Sequence, residues 1–238
     1  MALAGERGMR LFKLGKLAEV NLRAFSMAGK DWASLRRATN RAERDGLAFE
    51  FVPAGQTGPL LPNLRQVSDA WLALNKAGEK RFSLGAFDES YMRAHPLALI
   101  RLEGRIIAFV NILEAGDSVF VDLMRFIPGV HRGAMDLLMI RLIERLKADG
   151  VARLNLGMAP LSGLSRHRRA PLWERMGSLL YEKGNRHYNF KGLRAFKEKF
   201  APQWKPRYMA VPEGDNPYLA AAATAVLIAG GLRRMFVR

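Results

Sequence analysis

Apolar residues recur along the chain at two periods, and the change between them separates helices from strands. In "GKDWASLRRATNRAERDGLAFEF", Leu35, Ala38 and Ala42 return at helical spacing. Asp31 suits the N-cap and Gly46 the C′ position, so the pattern predicts a helix closed by a glycine. A short strand is expected at Ala48 to Val52, followed by a loop through "AGQTGPLLPN". In "LRQVSDAWLALNKAG", Leu64, Val67, Trp71 and Leu74 form the stripe of a second helix. From Leu97 the texture changes: "LALIRLEGRIIAFVNILEAGDSVFVDLMRF" predicts three antiparallel strands, turning near Glu103-Gly104 and Ala115-Gly116-Asp117. "HRGAMDLLMIRLIERLKADG" predicts a helix with Met135, Leu138, Leu142, Ile143 and Leu146 inward and Gly150 at its end, and "VARLNLGMAP" one more strand. This succession predicts an α/β layer with a mixed sheet flanked by helices.

Composition narrows the chemistry. At 238 residues and 49% apolar, the chain is long enough to bury a core. It has no cysteine, which removes disulfides, zinc–thiolate sites and thiol nucleophiles together. His95, His131, His167 and His187 never fall at i, i+4 spacing with a nearby acid, so no metal site is expected. The start, "MALAGERGMRLFKLG", lacks the apolar core of a secretory signal. The longest apolar run, Tyr218 to Leu232, is shorter than the roughly 20 residues that span a bilayer, so no transmembrane helix is expected.

The formal charge of +16 is unevenly spread, for residues 153–207 hold 13 Lys and Arg against 3 acids. Such a field draws polyanions, either nucleic acid or an anionic membrane surface. Within it, "NFKGLRAFKEKFAPQWKPRY" sets basic side chains among aromatic ones. The helix pattern puts Leu193, Phe196 and Phe200 toward the core, with Lys197 and Arg194 along one flank. "SRHRRAPLWERMG" suits tRNA phosphates or lipid head groups, and the sequence does not separate the two. The apolar tail from Tyr218 suits an interfacial helix with Arg233 and Arg234 at the head groups, or a core-packed one.

Asp122 in "SVFVDLM" is costly to bury unless paired or functional, which makes it a candidate site carboxylate. Arg125 follows three residues later. In a regular strand the two point to opposite faces, so they serve one site only if the strand bulges or ends between them. No Gly-x-Ser-x-Gly elbow or partnered histidine supports a serine hydrolase.

The strand–strand–strand–turn–helix–strand order from Leu97 to Met158 is that of the acetyltransferase-like fold. Its turn, "RFIPGVHRGAMD", lacks the glycine spacing of a pyrophosphate cradle and carries Val130, His131 and Arg132 instead. Coenzyme A is therefore not expected, although Arg132 at the helix start suits another phosphate.

Five ordered motifs, "LRRATNRAERDGLAFE", "GEKRFSLGAFD", "VDLMRFIPG", "LNLGMAPLSGL" and "NFKGLRAFKEKFAPQWKPRY", carry a more specific likeness. Together they resemble the cytosolic C-terminal domain of the phosphatidylglycerol lysyltransferase, or aminoacyl-phosphatidylglycerol synthase, family. The resemblance implies transfer of an aminoacyl group, lysyl favoured, from aminoacyl-tRNA to phosphatidylglycerol, with no cofactor. It implies Asp122, Arg125 and Lys197 as catalytic residues. Glu79 would bind the α-amino group of the aminoacyl moiety, and Ser83, Tyr91, Arg132 and Arg194 are further substrate-binding candidates. A tandem pair of acetyltransferase-like folds is expected, with residues 1–62 the remnant of the first and 63–238 the second. The implied partners are aminoacyl-tRNA, phosphatidylglycerol at an anionic surface, and a separate membrane-embedded flippase. The implied location is peripheral, on the inner face of the bacterial plasma membrane. Two other readings stand beside this one: transfer to a cell-wall precursor, and a nucleic-acid-binding module without catalysis.

Overall fold

A computed structural model of the chain describes residues 7–75, 85–183 and 190–229. In chain order its elements are β1 (Met9–Asn21), α1 (Ala33–Arg44), β2 (Leu47–Val52), α2 (Leu61–Asn75) and α3 (Glu89–Ala94). The three strands β3 (Leu97–Leu102), β4 (Arg105–Ala115) and β5 (Ser118–Phe126) follow, then α4 (Ala134–Ala148) and β6 (Arg153–Pro160). The chain continues through α5 (Leu172–Lys183), α6 (Phe190–Glu198), β7 (Gln203–Pro212) and α7 (Pro217–Ala229). The strand–strand–strand–helix–strand order expected from Leu97 onward is therefore present.

The chain divides into two compact units, one of residues 1–20 and 155–225, the other of 21–154 and 226–238. In the second, β2, β3, β4 and β5 pair antiparallel in that order. The turns are where the glycines predict them, with Glu103 and Gly104 both at positive φ (50° and 77°) and Gly116 at 59°. One face of this sheet carries a cluster that joins Leu64 and Val67 of α2, Met92 of α3, Leu97, Leu99, Phe109 and Leu123. Helix α4 packs against β2, β3 and β4, and α1 packs on α4. Its inward face is wider than the predicted stripe: Leu137, Met139 and Ile140 are also buried, while Met135 is only half-buried.

In the first unit, β1 lies between β6 and β7. This 13-residue strand is not among the elements expected above, since its sequence has no clean alternation to announce it. Lys13 and Lys16 interrupt the apolar positions, and the register slips between Lys13 and Gly15. Gly15 is required by contact: a Cβ there would stand 2.5 Å from the Ala159 carbonyl oxygen.

Two other local expectations change. Trp32, not Asp31, occupies the N-cap of α1, where its ring packs edge-on against Phe25 at 5.1 Å and takes the place of a polar cap. Helix α2 begins at Leu61, inside the expected loop, because a 3-10 turn over Gly58–Leu60, with Pro59 in its first positions, leads directly into it.

Candidate active site

The bulge that the sequence requires for Asp122 and Arg125 to act together is present. Val110 pairs with Met124 and Ile112 with Val121, so Asn111 alone faces both Asp122 and Leu123. Directly paired residues share a face, and Arg125 opposite Phe109 therefore lies on the face of the Leu64, Val67 and Leu123 cluster. The extra residue turns Asp122 toward the same side, where its carboxylate meets Tyr91 and Gly85.

Asn111 holds this irregularity in place. It is fully buried, and its Oδ1 accepts the Leu123 N–H at 2.6 Å, replacing a ladder bond that the bulge breaks. Its Nδ2 has no hydrogen-bond partner among the described residues. The Asn111 side chain opposes, in part, the rise of the Tyr91 pKa.

Tyr91 is aimed from below. Asp88 caps α3, its Oδ1 accepting the Tyr91 N–H at 3.0 Å, and the ring packs against the apolar cluster. The Tyr91 hydroxyl donates to Asp122 Oδ2 at 2.6 Å. Burial first, then the Asp122 hydrogen bond, push its pKa up to about 12, so at neutral pH Tyr91 is a donor and not a base. The Gly85 N–H donates to Asp122 Oδ1 at 3.0 Å. A Cβ at Gly85 would fall 1.9 Å from Oδ2, so the carboxylate and the backbone approach more closely than any side chain permits.

Arg125 is 7% exposed. Its guanidinium carbon stands 4.1 Å from the Trp71 ring centroid, Nε faces Ser68 Oγ at 3.4 Å, and one terminal nitrogen donates to the Met124 carbonyl at 3.2 Å. Stacking and hydrogen bonds hold the planar group in one orientation while its charge persists at any working pH.

Lys197 belongs to the other unit and corrects the expectation of a flank position. It is 3% exposed, the most buried of the described residues of α6, and its ammonium donates to the Met158 carbonyl at 2.9 Å. Burial lowers its pKa from the ordinary 10.5 to about 8. Leu193 and Phe196 are only half-buried, so the helix turns a lysine inward and leaves part of its apolar stripe outside. Arg194 pairs with Glu198 at 3.0 Å and lies over Trp204 at 4.8 Å.

Arg132 is exposed in the turn before α4. There the Gly133 N–H donates to His131 Nδ1 at 3.1 Å, and His131 Nε2 reaches Asp45 at 3.1 Å. The imidazole thus takes the first donor that a helix N-terminus offers an anion. Glu79 and Ser83 lie outside the described residues. Among the described residues, no three His, Asp or Glu groups converge as a metal site would require.

Asn111 and Gly85 belong to this site although the sequence reading does not single them out. For Asn111 a signal exists, a lone amide inside the apolar strand "AFVNIL". Gly85 reads only as a loop residue.

The comparisons with known proteins bear out the family resemblance. The family model described as phosphatidylglycerol lysyltransferase, C-terminal, matches residues 1–211. A phosphatidylglycerol lysyltransferase of Bacillus subtilis is 39% identical over 214 residues, covering 88% of this chain and 25% of the relative. One of Staphylococcus aureus is 33% identical over 219 residues, covering 91% and 26%. The chain thus spans about a quarter of the length of these curated relatives. Among solved structures, the C-terminal domain of a lysylphosphatidylglycerol synthetase from Agrobacterium fabrum superposes with a TM-score of 0.83. It is 45% identical and covers 98% of this chain and 71% of that one. L-PGS from Bacillus licheniformis gives a TM-score of 0.80 at 38% identity, covering 96% and 69%. The α/β fold described above is the one shared with these domains.

Proposed function

The chain belongs to the phosphatidylglycerol lysyltransferase C-terminal family, and on that premise we propose that it moves an aminoacyl group, lysyl favoured, from aminoacyl-tRNA to phosphatidylglycerol. The observation that carries the reading is the bulge at Asp122. It sets a carboxylate, held by one hydroxyl and one backbone N–H, on the same face as a buried guanidinium.

Exchange of one ester for another needs no cofactor, only aligned substrates, a proton acceptor and a group for developing negative charge. In the proposed step, Asp122 takes the proton from the glycerol hydroxyl as its oxygen attacks the aminoacyl carbonyl carbon. The new ester C–O bond forms, the bond to the ribose oxygen breaks, and that oxygen takes up the proton Asp122 had accepted, which restores the carboxylate. Tyr91 stays protonated and keeps Asp122 oriented. Arg125 supplies a fixed positive charge for the oxyanion or the lipid phosphate, and Lys197, in its own unit, a second cation for an anionic group. Glu79, Ser83, Arg132 and Arg194 remain candidates for holding the substrates.

Among the described residues no helix is long and apolar enough to cross a membrane. We place the reaction at the cytoplasmic face of the bilayer, where the lipid acceptor is presented and where a membrane-embedded flippase would take the product onward. Attaching lysine turns an anionic head group cationic, which weakens attraction of cationic antimicrobial peptides to the surface.

The test is transfer of radiolabelled lysine or alanine from the cognate tRNA to phosphatidylglycerol vesicles by the purified chain. We expect labelled lipid, and for Asp122→Asn a fall of about 10²- to 10⁴-fold with the fold unchanged. Unchanged turnover in Asp122→Asn would remove the residue from the mechanism. Absence of both transfer and tRNA binding would overturn the function.

A further inference from the structure

Helix α5 is built inside out. Leu172, Met176, Leu179 and Leu180 occupy a single arc of roughly 100° on the helix, and each is between 50% and 59% exposed. The side turned toward the protein carries the small Gly177 and Ser178 among the half-buried Trp173, Glu174 and Tyr181. Ser178 is buried and faces Arg166 Nε at 3.1 Å, and Gly177 packs so closely that a Cβ would stand 2.4 Å from Leu164. A helix in a water-facing position normally orients these two sides the other way.

The orientation is fixed by specific contacts. Trp173, at the helix start, donates its indole N–H to the Lys13 carbonyl at 2.8 Å and packs edge-on against Phe12 at 5.6 Å. Glu174 accepts the Ser165 N–H at 2.8 Å, and Arg166 pairs with Glu182. Rolling the helix to bury its leucines would break all of these.

The charges around the stripe are one-sided. Arg168 and Arg169, just before the helix, and Arg175, on its flank, are exposed, while both acids of the helix are engaged within the unit. Beyond Trp173 the apolar surface continues through Tyr218, whose ring lies 5.5 Å away, and Leu219, also exposed.

We propose that this face of α5 docks the chain on an anionic bilayer. The leucines and Met176 would enter the boundary between head groups and acyl chains, Trp173 and Tyr218 would sit at head-group level, and the arginines would meet lipid phosphates. The inference takes the lipid-acceptor reading above as its premise and adds the surface by which that lipid is reached. It also separates the two ligands left open for the basic segment from Ser165 to Gly177. A tRNA surface calls for positive charge, hydrogen bonds and aromatic stacking, and aliphatic side chains turned outward contribute nothing to it. A bilayer uses both halves of what is present.

Two variants of the whole chain test this by co-sedimentation with vesicles of phosphatidylcholine, alone or mixed with phosphatidylglycerol. One carries Leu172→Ser, Met176→Ser, Leu179→Ser and Leu180→Ser; the other carries Arg168→Glu, Arg169→Glu and Arg175→Glu. All seven positions are exposed, and a thermal melt verifies that both variants fold. The serine variant should lose about tenfold or more in partitioning at every salt concentration. The glutamate variant should lose at least about tenfold on phosphatidylglycerol vesicles at low salt, and much less at high salt. Vesicle binding by the serine variant equal to that of the unaltered chain would overturn the proposal. So would a dimer that the same serines dissociate while vesicle binding persists, or a glutamate variant that loses tRNA binding alone.

Transfer measured in parallel, to vesicles and to dispersed short-chain phosphatidylglycerol, keeps the two readings apart. If the unaltered chain docks through these residues but transfers to neither acceptor, the lipid-acceptor reading falls and the docking surface stands. If the unaltered chain transfers to both and the serine variant transfers equally well to vesicles, the docking surface falls and the lipid-acceptor reading stands. The expected result is a serine variant that matches the unaltered chain on the dispersed lipid and is at least about tenfold slower on vesicles.

Discussion

Arg125 and Lys197 are both cations drawn below the surface, one in each unit, yet burial has opposite consequences for them. Arg125 keeps its charge, because a guanidinium does not lose its proton and because the Trp71 ring and two hydrogen bonds occupy it on several sides. Lys197 has a Met158 carbonyl, and its pKa falls to about 8. One position is therefore a permanent charge, and the other is a charge that can be removed near neutral pH.

The difference can be sharpened first through stability. The unfolded chain holds the Lys197 proton up to about its ordinary 10.5, and the folded chain only to about 8. Between those values the unfolded state binds more protons, so stability rises as pH rises through the window and the full cost is present below it. The shift corresponds to roughly 3 kcal/mol. Lys197→Met should therefore raise stability at pH 7 by about 2 to 3 kcal/mol and flatten its pH dependence between pH 8 and 10.5. Urea unfolding at a series of pH values measures both, and an unchanged profile would mean that Lys197 is solvated in solution. Next in size is Arg125→Lys. A compact ammonium cannot stack on Trp71 and still reach Ser68 and the Met124 carbonyl, so transfer should fall about a hundredfold, read as kcat. Activity within a few fold would make the two cations equivalent after all. The smallest effect concerns what holds Asp122 on the Arg125 face. Asn111→Leu leaves the Leu123 N–H buried and unpaired, and removal of the unpartnered Nδ2 offsets part of that cost. A net loss of about 1 kcal/mol is expected in urea denaturation. Stability equal to that of the unaltered chain would mean that the bulge needs no side-chain support.

The β3–β4–β5 meander was legible because its turns depend on local chemistry, Gly104 and Gly116 at positive φ between apolar runs. Asp122 was legible because an acid in an apolar strand is expensive wherever it goes. Depth was not. The stripe of α6 marks apolar residues correctly, but nothing in its spacing says that Lys197 goes deeper than Phe196. Helix α5 makes the same point more strongly, since its start reads above only as a basic segment, and periodicity in any case identifies an apolar face without specifying what that face meets. Gly85 was unreadable for a different reason: its role comes from a contact 37 residues away along the chain.

The bulge at Asp122 and Leu123 has one more effect. It changes the parity of β5, so residues before it and after it assign odd and even positions to opposite sides. Two related strands aligned by alternation alone will agree over one half and disagree over the other, unless a single gap is placed at this point. In a strand, where gaps are usually penalised most heavily, that one gap distinguishes an alignment that keeps Asp122 and Arg125 on the same side from one that separates them.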